Sequence, residues 1–106
     1  MKLDHIAMVC NDIDVSIKWY LNIFKEAKIL YQDDTWGLIG TNTWKIAFVS
    51  KSQHPQHIAF CVDGLEDEIK KLFPNKKWKL HRDNSKSIYI EDPDSNYIEF
   101  IKYKEK

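Results

Sequence analysis

The stretch DHIAMVC (residues 4–10) returns in altered form as QHIAFCV (56–62). Both carry His-Ile-Ala followed by further apolar residues. Laying His5 on His57 sets a shift of 52 residues, which also brings Ile6 onto Ile58 and Ala7 onto Ala59. Without a gap, Ile13 then meets Leu65, Asp14 meets Glu66, Ile17 meets Ile69 and Lys18 meets Lys70. Near the other end, GTNTWKIAFV (40–49) meets DPDSNYIEFI (92–101), pairing Ile46 with Ile98, Phe48 with Phe100 and Val49 with Ile101. A shift close to half of the 106 residues points to one domain, 1–106, made of two repeated modules, about 1–52 and 53–106.

Each half reads as the same series of elements. KLDHIAMVC (2–10) is an apolar strand. In the helix that follows, Ile13, Ile17, Tyr20, Leu21 and Phe24 fall on one face of a 3.6-residue period, and Asn11 or Asp12 can cap its start. In the second half Leu65, Ile69, Leu72 and Phe73 repeat that spacing. There Asp63 is the expected cap, Glu66 lies in the acid-favouring first turn, and Pro74 is the stop. Three strands follow each helix: KILYQ, TWGLIG and WKIAFVS, then KWKLHR, SIYIE and NYIEFIKY, separated by turn-formers such as RDNSK and DPDSN. The order is β-α-β-β-β, twice, and SKSQHPQ (50–56) is the soft joint between halves.

Strand alternation then sorts the side chains. Ile6 and Met8 share one face of the first strand, and His5, Ala7 and Val9 the other. The repeat puts Ile58, Phe60 and Val62 opposite His57, Ala59 and Cys61. The bulkier face packs on the helix, which leaves the His/Ala face with room for a ligand. In the last strand, Ile98 and Phe100 claim the helix side and turn Glu99 toward the histidines. A carboxylate between two apolar neighbours is costly unless paired or metal-bound. Its counterpart in the first half is Ala47. The set His5, His57 and Glu99, two imidazoles and a carboxylate with open positions, suits divalent iron, manganese and similar ions in open catalytic sites. Ala7, Ala47 and Ala59 are the expected substrate-lining positions.

These same features, the HIA strand starts, the doubled β-α-β-β-β order and the ending DPDSNYIEFI, resemble the vicinal oxygen chelate superfamily over essentially the whole chain. That group includes glyoxalase I, extradiol dioxygenases, fosfomycin-resistance thiol transferases and bleomycin-resistance proteins. The resemblance implies an α+β fold in which two βαβββ modules form a curved, cavity-lining mixed sheet with helices packed outside. It implies metal ligands at His5, His57 and Glu99, with Ala47 at the fourth place. Glyoxalase I normally has an acid there, and fosfomycin transferases have a hydroxyl residue where this chain has Ala7. The implied function is a metal-dependent enzyme of lyase, isomerase or dioxygenase type, using Fe²⁺, Mn²⁺, Zn²⁺ or Ni²⁺ on a small oxygen-chelating substrate. The alternative is a metal-free small-molecule-binding protein of bleomycin-resistance type. A homodimer is also implied, in which modules can be exchanged between chains.

Bulk properties narrow the partners. Sixteen basic residues balance sixteen acidic ones, so no basic face argues for nucleic acid. The sequence shows no apolar run of membrane-span length and no signal-peptide pattern, and its two cysteines, Cys10 and Cys61, sit in apolar runs, expected as free thiols with a bridge between them as the alternative. A cytoplasmic protein is expected. His54 and His81 are expected in solvent, Trp36, Trp44 and Trp78 in core or contacts, and the terminal KYKEK as a solvated tail.

Overall fold

The computed structural model describes residues 1–81 and 83–103. Arg82, in the expected sixth strand and turn, and residues 104–106 of the expected tail lie outside the described residues. Two helices and eight strands, paired both parallel and antiparallel, make the protein α+β. They fall into two compact units, His5–His57 and Met1–Asp4 with Ile58–Lys106.

In the His5–His57 unit, β1 (Lys2–Cys10) leads to α1 (Ile13–Ile23), β2 (Lys28–Gln32), β3 (Trp36–Gly40) and β4 (Lys45–Ser50). The strands lie in the order β2-β3-β4-β1. The β1–β4 pair is parallel, with Ala7 beside Ala47 and Met8 beside Phe48, while β2–β3 and β3–β4 are antiparallel. Parallel neighbours need a long crossover, which α1 and two hairpin strands supply. Asp12 caps α1 as the sequence suggests, its Oδ1 accepting the Val15 N–H at 2.9 Å. Ile13 and Ile17 of the helix, Ile39 and Phe48 form the buried cluster, joined by Met8, Tyr20, Leu21 and Ile46. Gly37 lies under α1: a Cβ there would collide with the Ile17 Cδ1 and come within 3.1 Å of the Ile13 Cγ2.

In the other unit, β5 (His57–Cys61), α2 (Glu66–Leu72), β6 (Lys79–Leu80), β7 (Lys86–Glu91) and β8 (Tyr97–Lys102) follow the same order, arranged β5-β8-β7-β6. Its core is Val62, Ile69, Ile88 and Phe100, with Phe60, Leu65, Trp78, Ile90 and Ile98 packed around them. The Val62 N–H donates to the Ile101 carbonyl at 3.0 Å and continues the β5–β8 contact beyond the strand.

Three sequence expectations are corrected. The N-cap of α2 is Leu65, without a side-chain cap, because the chain first turns at Gly64, whose φ of 84° lies in the left-handed region. The expected KWKLHR strand pairs over only two residues. It is an edge strand, and at His81 the chain enters a turn held by Asp83 Oδ1, which accepts the Ser85 N–H at 2.9 Å. The repeat is also not gap-free. Leu38 stands opposite Ala47 but Tyr89 stands opposite Glu99, so β3 maps onto β7 with a shift of 51 while β4 maps onto β8 with 52. The extra residue sits in the DPDSN turn, where Asp92 Oδ1 accepts the N–H groups of Asp94 and Asn96 and Ser95 takes a φ of 66°.

Among the described residues no helix is long and apolar enough to cross a membrane. Cys10 and Cys61 are both free.

Candidate functional site

One candidate group is a histidine pair inside the His5–His57 unit. His5 lies mid-way along β1 and His57 opens β5. Their rings meet edge to face, 5.7 Å between centroids. His57 is buried, 7 % exposed. Its Nδ1 lies 3.0 Å from the Pro55 carbonyl oxygen. A carbonyl can only accept, so Nδ1 carries the proton and, in the neutral ring, the lone pair is on Nε2. A backbone carbonyl behind the ring is the usual way a protein fixes a metal-binding imidazole. His54, expected in solvent, is half-buried with its ring 6.3 Å from that of His57.

Alternation shapes the surroundings. Ala7 and Ala47 are register partners in the parallel β1–β4 pair, both buried, and Ala59 of the other unit is buried as well. On the opposite face, Met8 and Phe60 pack on the two cores as expected. Ile6 and Ile58, expected there too, are 42 % and 43 % exposed. They precede Met8 and Phe60 by one alternation, and neither belongs to the packed clusters.

In the other unit the candidate residue is Glu99. Its neighbours in β8, Ile98 and Phe100, pack on the second core, and Glu99 turns to the other face. It is 3 % exposed. Ser87, on the adjacent strand β7, donates its hydroxyl to Glu99 Oε2 at 2.5 Å. That hydroxyl has one proton, so the 2.8 Å contact between Ser87 Oγ and His81 Nε2 is a bond that His81 donates. His81 Nε2 also lies 3.9 Å from Glu99 Oε2. Tyr89 stands directly opposite Glu99 in the β7–β8 register. Burial first, and then the Glu99 charge, push the Tyr89 hydroxyl well above its ordinary value and keep it a donor. The sequence singles out neither Ser87 nor Tyr89, and His81, expected in solvent, is half-buried. The available signal was SIYIE (87–91), whose alternation sets Ser87 and Tyr89 on one face.

The donor types suit a divalent cation. A neutral imidazole with its Nδ1–H tied back can ligate through Nε2. A carboxylate has about four acceptor sites, so bonds from Ser87 and Tyr89 do not exhaust it.

No family profile and no curated protein matches the sequence. Solved structures do match the fold. A hypothetical protein from Bacillus halodurans C-125 superposes with a TM-score of 0.74 at 19 % identity, over 99 % of this chain and 96 % of that one. A glyoxalase/bleomycin resistance protein/dioxygenase superfamily member from Vibrio splendidus 12B01 gives 0.67 at 13 % identity, over 92 % and 96 %. This is the vicinal oxygen chelate fold. Methylmalonyl-CoA epimerase from Mycobacterium tuberculosis shares it, with a TM-score of 0.70 at 14 % identity over 98 % of this chain and 89 % of that one. At such identities the vicinal oxygen chelate fold is what these proteins have in common.

Proposed function

We propose that His5, His57 and Glu99 together hold one divalent cation, and that the protein is a metal-dependent enzyme of the vicinal oxygen chelate type acting on a small oxygen-chelating substrate. The observation that carries the reading is the histidine pair: two imidazoles 5.7 Å apart, at positions the repeat makes equivalent, one of them with its Nδ1 proton anchored on a backbone carbonyl. The buried Glu99 carboxylate supplies the negative charge. When bound, a divalent ion would act as a Lewis acid toward substrate oxygens. His57 is oriented for that ion by the Pro55 carbonyl, and Ala7, Ala47 and Ala59 are the proposed substrate-lining positions. Fe²⁺, Mn²⁺, Zn²⁺ and Ni²⁺ all suit an imidazole–carboxylate set.

Calorimetry with each ion tests the reading. One ion per chain is expected for the protein as purified and stripped, with loss of binding in Glu99→Ala and in His57→Ala. A chain that binds none of the four ions yet still takes up small ligands is the metal-free binding protein instead. We further propose a cytoplasmic homodimer, expected to sediment at twice 12.6 kDa; a species of 12.6 kDa at micromolar concentration would refute the dimer.

A further inference from the structure

The mechanism sketched above uses Glu99 but not the groups around it. Glu99 is held by a chain of hydrogen-bond donors that starts at the protein surface. His81 sits where β6 ends and the Asp83 turn begins, about one quarter exposed at its side chain. Its Nε2 reaches Ser87 Oγ at 2.8 Å, and Ser87, fully buried, donates its hydroxyl hydrogen bond to Glu99 Oε2 at 2.5 Å. All three groups belong to the second unit, on three successive sheet positions, β6, β7 and β8.

We propose that His81 and Ser87 are positioning residues that fix the Glu99 carboxylate for cation binding, His81 acting through Ser87. The inference rests on the metal reading above and extends it outward by two residues. The chemistry is directional. The Ser87 hydroxyl can donate only once, and His81 donates to one of its lone pairs, so the serine rotamer is set from both sides. A serine so fixed pins one carboxylate oxygen and thereby the plane of the whole group. Outer hydrogen bonds of this kind typically matter by about 10–100-fold in metal affinity. In the first half of the repeat Ala47 stands at the place of Glu99, with no carboxylate to orient.

The test is Mn²⁺ affinity by calorimetry, with no substrate present, on the wild-type chain, Ser87→Ala, His81→Phe and His81→Gln. Circular dichroism melts without metal accompany each. Ser87→Ala and His81→Phe are expected to weaken Mn²⁺ binding about 10-fold or more. Glutamine keeps an N–H donor, so His81→Gln is expected to stay within about 3-fold of wild type, a rescue that mere packing would not produce. Cobalt(II) absorption should shift in the Ser87→Ala protein for the same reason. If wild type binds Mn²⁺ and the serine and phenylalanine variants bind it equally well, the positioning role is overturned and the metal site stands. Equal weakening in His81→Gln and His81→Phe also overturns it. Wild-type protein that takes up no ion overturns the metal reading itself. Should Ser87→Ala fail to fold, the two His81 variants decide.

Discussion

Ile17 of α1 rests directly on Gly37 of β3, where the strand has no side chain to separate it from the helix. The glycine here answers a need for space, and no left-handed backbone is involved. Ile17 is fully buried and central to the first core, and the close approach seats α1 against the face of the strands opposite Ala7 and Ala47.

Gly37→Val is therefore expected to destabilise the protein by about 1–3 kcal/mol through overpacking. Ile17→Ala, which leaves a cavity at the same contact, should cost about 2–5 kcal/mol. Combining Gly37→Val with Ile17→Ala should recover part of the loss, because the added methyls occupy the vacated volume. Urea melts of the three proteins measure this. Strictly additive losses would mean that the two residues do not share the contact.

The fold could be read from the sequence because both of its periodicities are clean. Ile13 and Ile17 in α1, and Ile98 and Phe100 around Glu99, recur and alternate as their periods require, although Ile6, Ile58 and Leu72, expected on packed faces, are exposed. The two HIA segments then fix the repeat. What escaped the sequence reading are local events. The cap of α2 moved because Gly64 turns the chain before the helix, and the added residue in DPDSN shifted β7 against its counterpart β3 by one. That slip decides which residue faces Glu99, since in a strand one step changes the face. A gap-free alignment puts Gly37 at the place of Tyr89 and hides the Ser87–Tyr89 face. His81 was misplaced for a different reason. Its burial depends on a turn made by Asp83 and Ser85, and a polar stretch gives no hydrophobic pattern from which to read it.

Helix capping separates the two modules in a measurable way. Asp12→Ala removes the side-chain acceptor for the Val15 N–H and is expected to cost about 1 kcal/mol, while Asp12→Ser should keep most of the stability. Asp63→Ala should cost clearly less than Asp12→Ala, because Asp63 is not the cap of α2. Chemical denaturation of the three variants provides the comparison. Equal losses at 12 and 63 would restore Asp63 as a cap.

Acid stability should depend on Glu66. Lys102 Nζ lies 2.7 Å from its carboxylate, and that bond, with lesser help from backbone N–H groups, holds the Glu66 carboxyl at about 2 against an ordinary 4.5. The folded value is the lower one. The pair's contribution is thus fully present above about 4.5 and fades as pH falls toward 2. Asp33 is depressed in the same sense, by the Tyr31 hydroxyl first and then by Thr35. Glu66→Gln is expected to melt below wild type at pH 7 and to converge on it near pH 2. Melting temperatures taken at pH steps over that range check the sign. A gap that stays constant with pH would place the effect elsewhere.

The position of Ala47 offers a test of the repeat at the level of chemistry. It is buried beside Ala7 and opposite Leu38, at the place that Glu99 holds in the second module. Ala47→Glu puts a second carboxylate there with no equivalent of Ser87 to receive it. Without metal, the new charge is buried and unpaired, so the melting temperature should drop. With saturating Mn²⁺ or Ni²⁺, the carboxylate gains a ligand role, and the variant should recover more of its melting temperature than wild type gains under the same conditions, because binding to the folded state alone adds stability by mass action. Thermal melts with and without metal, run on Ala47→Glu and on Ala47→Gln, separate the two effects. The glutamine variant shares the crowding but has no charge to offer. If glutamate and glutamine respond alike to metal, Ala47 does not stand where a fourth ligand would reach the ion, and the equivalence of the two modules ends at the backbone.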